Sequence, residues 1–201
     1  GTDADYVWHA DDSEINFHTA DWSFEAWIKP SSVDTDTTTS YAIFFVGDGN
    51  GLGSVDEGQD ELQIGMRGGY IELCYDSCTG ATSDKLHLNG EIQLVANKWY
   101  HIGVSYDTNG NGVQPGVNVF VNGDRISGTV DAVGFKMDDA TSYPGDPEYY
   151  LGTGDLSGGT NVANFAGIID EARWLNYEKN AFAGGLMISK VVPSTDTVTV
   201  Y

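Results

Sequence analysis

Asp170 poses the first chemical question. It lies in FAGIIDEARW (residues 165–174), an apolar run of strand character that also carries Glu171 and Arg173. In a strand, residues two apart share a face. That period groups Ile168, Asp170, Ala172 and Trp174, with Ile169, Glu171 and Arg173 opposite. The first set reads as core-facing, which puts a carboxylate at the margin of an apolar face. A buried carboxylate is costly unless it is paired, hydrogen-bonded or bound to a metal. Arg173 is on the wrong face to pair with it, and is expected to make a surface pair with Glu171. Backbone amides, another basic side chain or a calcium ion remain as partners for Asp170.

Other oxygen-rich stretches could also hold a cation. Calcium takes six to eight oxygens from carboxylates, amides and backbone carbonyls. DTNGNG (residues 107–112) opens like a helix-loop-helix calcium loop, but Asn118 stands where that loop needs its bidentate Glu. It reads as a hairpin turn. Asp48, Asn50, Asp56 and Glu57 in GDGNGLGSVDEGQDEL could chelate, and are expected to be solvated loop residues. A sugar site needs exposed aromatic rings beside orienting polar groups. DDATSYPGDPEYY places Tyr143, Tyr149 and Tyr150 near loops, with Tyr143 the most exposed by its setting between Ser142 and Pro144.

Covalent and zinc chemistry are poorly supplied. No Gly-x-Ser-x-Gly nucleophile elbow occurs. Two cysteines and four scattered histidines do not make a zinc ligand set. Cys74 and Cys78, in CYDSC, sit at a strand end and its turn. They are expected to form a short disulfide in an oxidising compartment, with two reduced thiols as the alternative.

The elements that must position these groups are short strands separated by Gly, Asn, Asp and Ser. Examples are WSFEAWIKP, YAIFFVG, ELQIGM, YIELCYD, EIQLV, WYHIGVSYD, VNVFVNG, YYLGTG and GIIDEARWLN. The 26 glycines suit many tight turns. Only NYEKNAFAGG reads as a helical turn or two. The pattern is all-β, a two-sheet antiparallel sandwich. Trp27, Ile28, Phe44, Phe45, Trp99, Ile102, Val104, Val119, Val121, Ile168 and Trp174 form the expected core.

With 201 residues, the chain suits one sandwich domain, residues 1–201, with 185–201 as a terminal strand or arm. Hydrophobic residues make up 40%, enough for a core. Thirty acidic against nine basic residues give a formal charge of −21, which argues against a nucleic-acid backbone as partner. The excess suits a calcium-rich, salty or extracellular setting, or simple solubility. No apolar run approaches the ~20 residues of a membrane helix. No signal peptide is visible, and a start at Gly1 reads as a processed product or an excised module.

Three stretches in order carry a family resemblance. They are DWSFEAWIKP, NKWYHIGVSYDTNGNGVQPGVNVFVNGDRI, and YYLGTGDLSGG followed by FAGIIDEARWLN. Over about residues 8–183 they resemble laminin-G-like and pentraxin-like domains of the concanavalin A-like jelly-roll superfamily. The resemblance implies a jelly roll, and a function among lectins, glycoside-cleaving enzymes and adhesive modules. It implies two calcium sites. One is on loops, with Asp60 beside Glu61, Asp155, and Asn161 completing the set. The other is at Asp170, with Asp11 and Asp12 of HADDSEINF as N-terminal partners. His101 would be structural. Gly103 stands where pentraxins have a Cys, so the pentraxin disulfide is missing. The carboxylate pattern of jelly-roll glucanases and the Arg, Gln, His and Tyr set of jelly-roll lyases are both absent.

The sequence therefore points to a non-catalytic extracellular, cell-surface or virion-surface module. Its expected work is calcium-assisted recognition of a glycan or protein ligand, with Tyr143, Tyr149 and Asn161 as ligand contacts. A structural module that binds copies of itself or neighbouring domains is the alternative, with 185–201 as a pairing arm.

Overall fold

A computed structural model describes residues 7–9, 20–35, 37–47, 62–75, 84–87, 91–107, 116–126, 129–130, 148–153 and 162–182. Thirteen strands run through them, with no helix among the described residues. They are β1 (Val7–His9), β2 (Trp22–Pro30), β3 (Ser40–Gly47), β4 (Leu62–Arg67), β5 (Tyr70–Tyr75), β6 (Asp84–His87) and β7 (Tyr100–Tyr106). Then follow β8 (Asn118–Val121), β9 (Asp124–Ile126), β10 (Thr129–Val130), β11 (Glu148–Leu151), β12 (Val162–Asn164) and β13 (Gly167–Leu175).

The strands form two sheets. The larger has the order β1-β11-β3-β4-β5-β6-β10. Beside β3, β11 takes the second half antiparallel while β12 runs parallel to the first. The smaller sheet has the order β13-β2-β7-β8-β9, all antiparallel. This is the jelly-roll sandwich expected from the strand pattern.

Alternation builds the core. Along β2, Trp22, Phe24, Ala26 and Ile28 are buried and belong to the core, facing Phe44, Val46, Leu62, Ile64, Met66, Ile71 and Leu73 of the larger sheet. Aromatic rings tie the two sheets: Phe24 stacks on Phe44 at 4.7 Å, and Trp174 stacks on Trp22 at 4.7 Å while lying 5.5 Å from Phe44. Burial at about 25 cal/mol per Å² of apolar area makes this interface the main favourable term in folding. The Asn-Gly turn between β8 and β9 takes φ of 54° at Asn122 and 90° at Gly123, the pair of positive values that a two-residue hairpin demands.

Two expected elements differ. EIQLV is not a strand. Residues 91–95 run irregularly, Leu94 inserts into the core, and its amide donates to the Gly69 carbonyl at 2.8 Å. The NYEKNAF portion of the expected helix is also irregular. Residues 176–182 form a strap across the outer face of the smaller sheet, held by contacts of Tyr177, Lys179 and Phe182 with β2 and β7.

Candidate ligand-binding cleft

The register of β13 on β2 answers the question of Asp170. Ile169 pairs with Ile28 and Asp170 with Trp27, but the next partners are Arg173 with Glu25 and Trp174 with Phe24. Two residues, Glu171 and Ala172, thus face Ala26 alone. This is a β-bulge, and Glu171 takes φ 51° within it. The extra residue inverts the side-chain alternation. Before the bulge the core face belongs to Ile169; after it, to Ala172 and Trp174. Ile168, expected in the core, is 53% exposed. Asp170 sits on the outer side, exposed, and its Oδ1 accepts the Glu171 amide at 2.9 Å. Its carboxylate is at the surface, not in the core. Trp27 also lies on the outer face, half-buried, rather than in the core.

Beside the bulge lies a cleft of about 480 Å³, between the edge strands β1 and β13 of the two sheets. Phe165, Leu151, Ile169, Ala172 and Val7 make it largely apolar, and Asp170 and Glu171 bring two carboxylates to it. No basic side chain lines it among the described residues. Its walls are pinned. The Phe165 amide donates to the Gly152 carbonyl at 2.9 Å, the Gly152 amide to Ile43 at 2.9 Å, and Thr153 Oγ1 to Asn164 Oδ1 at 2.6 Å. Gly167 is required at the rim, because a Cβ there would run into the Lys29 carbonyl and the Phe165 ring. A cleft with apolar walls and two surface acceptors can hold a ligand by face contact while its hydroxyl or cationic groups meet the carboxylates.

Of the expected site residues, Asp170 reaches this cleft. Asp11, Asp12, Asp60, Asp155, Tyr143, Asn161 and Cys78 lie outside the described residues. Tyr149 pairs with Val46 in β11, is 6% exposed and belongs to the core, so its ring is not open to a sugar as expected. Strand pairing explains the difference: β11 runs through both tyrosines beside β3, and alternation turns Tyr149 into the core and Tyr150 to the other face, beside Phe45. Cys74 is in β5, opposite Gln63 and Lys85, and its side chain lies outside the described set. Among the described residues no three His, Cys, Asp or Glu side chains group as a metal site. Asp170 and Glu171 would therefore supply only part of a calcium shell.

Sequence reading missed a second cluster, on the outer face of the smaller sheet. Glu25, with its side chain 5% exposed, has Arg173 Nε at 3.3 Å from Oε1, and Lys179 Nζ at 2.5 Å and His101 Nε2 at 3.5 Å from Oε2. Arg173 also reaches the Glu171 carboxylate at 3.5 Å, the surface pair expected from sequence. The strap docks here. Ser23 Oγ donates to the Tyr177 carbonyl and accepts from the Lys179 amide, both at 2.8 Å. Phe182, 1% exposed, lies against Gly103, where a Cβ would come within 2.5 Å of its ring. Phe120 at 4.9 Å, His101 at 6.3 Å and the Lys179 ammonium at 4.8 Å surround it. Burial pushes His101 below its ordinary pKa, against the opposing pull of Glu25. Glu178 is pushed up by burial, and then by Asp107 and Asp21. The available signal was Gly103 in an otherwise bulky strand.

A family model described as the concanavalin A-like lectin/glucanases superfamily, of the laminin G type, matches residues 1–181. The chain belongs to this superfamily. Solved structures with the same fold include domains LG4-5 of the mouse laminin alpha1 chain, at TM-score 0.53 and 13% identity, covering 86% of this chain and 40% of that one. The CBM40 of the Ruminococcus gnavus IT-sialidase matches at TM-score 0.55 and 14% identity, covering 85% and 87%. The NanB sialidase of Streptococcus pneumoniae matches at 0.56 and 14%, covering 87% and 26%. The superfamily member thus spans about two fifths of the laminin structure and about a quarter of the NanB one. At these identities the likeness concerns fold. The sequence matches none of the curated proteins.

Proposed function

We propose that this domain is a non-catalytic extracellular binding module, and that the cleft beside the β13 bulge takes part of a glycan or protein ligand. The cleft itself carries the reading: apolar walls, two carboxylates, and a position between two sheet edges. Membership of a superfamily whose description includes lectins supports it, as does likeness in fold to a laminin domain and a sialidase CBM40. Calcium assistance is part of the proposal. Asp170, with Asp11 and Asp12, would hold one ion, and Asp60 with Asp155 and Asn161 a second. A bound calcium would neutralise the carboxylates and present open coordination positions to ligand oxygens.

The test is thermal unfolding in EDTA and in excess calcium, followed by glycan-array binding under both conditions. Binding to the native state raises the midpoint by mass action. The reading expects a calcium-dependent rise that Asp170→Ala diminishes, and glycan binding that Ala172→Trp, which fills the cleft, removes. Binding that survives Ala172→Trp would place the ligand elsewhere. No calcium shift in wild type would remove the ion from the proposal.

A further inference from the structure

His101 and Lys179 address the same oxygen, Glu25 Oε2, from opposite origins. His101 belongs to β7, inside the sheet; Lys179 belongs to the strap that crosses it. The strap holds to the face at three described points: the Ser23 hydroxyl bridge, the Lys179–Glu25 pair and the Phe182 ring seated on Gly103. His101 lies beneath this cover, 6% exposed. Its Nε2 is turned to Glu25, and its Nδ1 is buried with no hydrogen-bond partner among the described residues.

We propose that residues 176–182 form an acid-released latch, in which a proton on His101 displaces Lys179 from Glu25 and lifts the strap from the outer face. Neutral His101 suits the closed state: Nε2–H faces the carboxylate, and Nδ1 carries only a lone pair. A proton added at Nδ1 makes a buried cationic donor with no acceptor among the described residues, which is the costly kind of polar group. The new charge also enters a cluster that already holds Lys179 from the strap and Arg173 from β13, against Glu25 from β2 and Glu171 from β13. Trp27 and Phe182, the rings described beside it, are uncharged. Opening lets water solvate Nδ1–H and lets the imidazolium take Oε2.

The sign follows from linkage. Burial in the closed state lowers the His101 pKa, so the open state binds the proton more tightly. Closure is fully favoured above the ordinary histidine pKa of ~6.5 and weakens as pH falls through it toward the lower closed-state value. Glu178, on the same strap, titrates with the opposite effect, since acid relieves the cost of burying its charge and its repulsion with Asp107 and Asp21. The latch therefore requires His101 to be the stronger of the two. Opening would bare Phe182 and Phe120 beside Trp27, an aromatic face that is closed at neutral pH.

The experiment is hydrogen exchange on the whole domain, corrected for intrinsic rates, between about pH 7.5 and about pH 5, the range in which histidine titrates. The latch predicts that protection at the Lys179 amide falls about tenfold for each unit of His101 pKa difference between open and closed states, while β7 amides keep theirs. In His101→Gln the strap keeps its protection at the acid end. In Lys179→Met the strap is less protected at both ends. Equal wild-type protection across the range overturns the proposal, as does parallel loss in β7, which would mean global unfolding. An unchanged acid loss in His101→Gln also overturns it. If that variant fails to fold, the wild-type ring titration decides: a His101 pKa at or above the ordinary value sinks the latch.

Discussion

Two carboxylates on the outer face of one sheet, Glu25 and Asp170, have opposite solutions. Glu25 is buried under the strap and surrounded by Arg173, Lys179 and His101. Asp170 is exposed at the edge, and its one described bond is to the amide of the next residue. The difference teaches where this fold spends side chains. A covered carboxylate demands cations from separate elements, and so ties the strap to the sheet. An uncovered one needs little, and stays available beside a cleft. The first region is covered and the second is open.

Breaking the covered region should cost most. Phe182→Ala removes a buried ring and leaves a hole over Gly103, for an expected loss of about 3–5 kcal/mol. In a domain of this size each kcal/mol lowers Tm by roughly 2–4 °C, so calorimetry reads it easily. Gly103→Ala attacks the same contact from below by pushing a methyl into the ring, at about 1–3 kcal/mol. A Tm within a degree of wild type for both would show that the strap does not contribute to stability.

The edge should respond differently. Glu171→Gly relieves a left-handed conformation that costs a side chain roughly 1–2 kcal/mol, partly offset by the lost Arg173 pair. The expected outcome is a small gain, about 0.5–1 kcal/mol in denaturant melts. A clear loss would mean that Glu171 holds more than the bulge. Glu178→Gln should change least, within about 0.5 kcal/mol because the group is only partly buried. Its raised pKa fixes the sign: ionised Glu178 disfavours the fold as pH rises, so the variant gains above the carboxylate range and not below it.

Much of the sandwich was legible because alternation is a local signal. WSFEAWIKP and WYHIGVSYD became β2 and β7 with their expected apolar faces, Trp27 and the half-buried Trp99 excepted. The Asn-Gly hairpin was legible for the same reason. The face of Ile168 was not, because one inserted residue at Glu171 reverses a period of two without changing composition. The cleft joins residues 7, 151 and 165–172, which no spacing rule connects. The Glu25 cluster joins strands far apart in sequence to a segment that composition alone marks as helical.

The bulge has a further consequence for the exposed side of β13. Among the described residues, this nine-residue strand pairs only with β2. A straight, apolar edge of that length is a template on which stray chains can grow as amyloid-like ladders. Glu171 breaks the regular spacing of its backbone donors and acceptors, and Asp170, Glu171 and Arg173 add charge at the break. The irregularity that leaves Asp170 in water thus also serves as protection against aggregation.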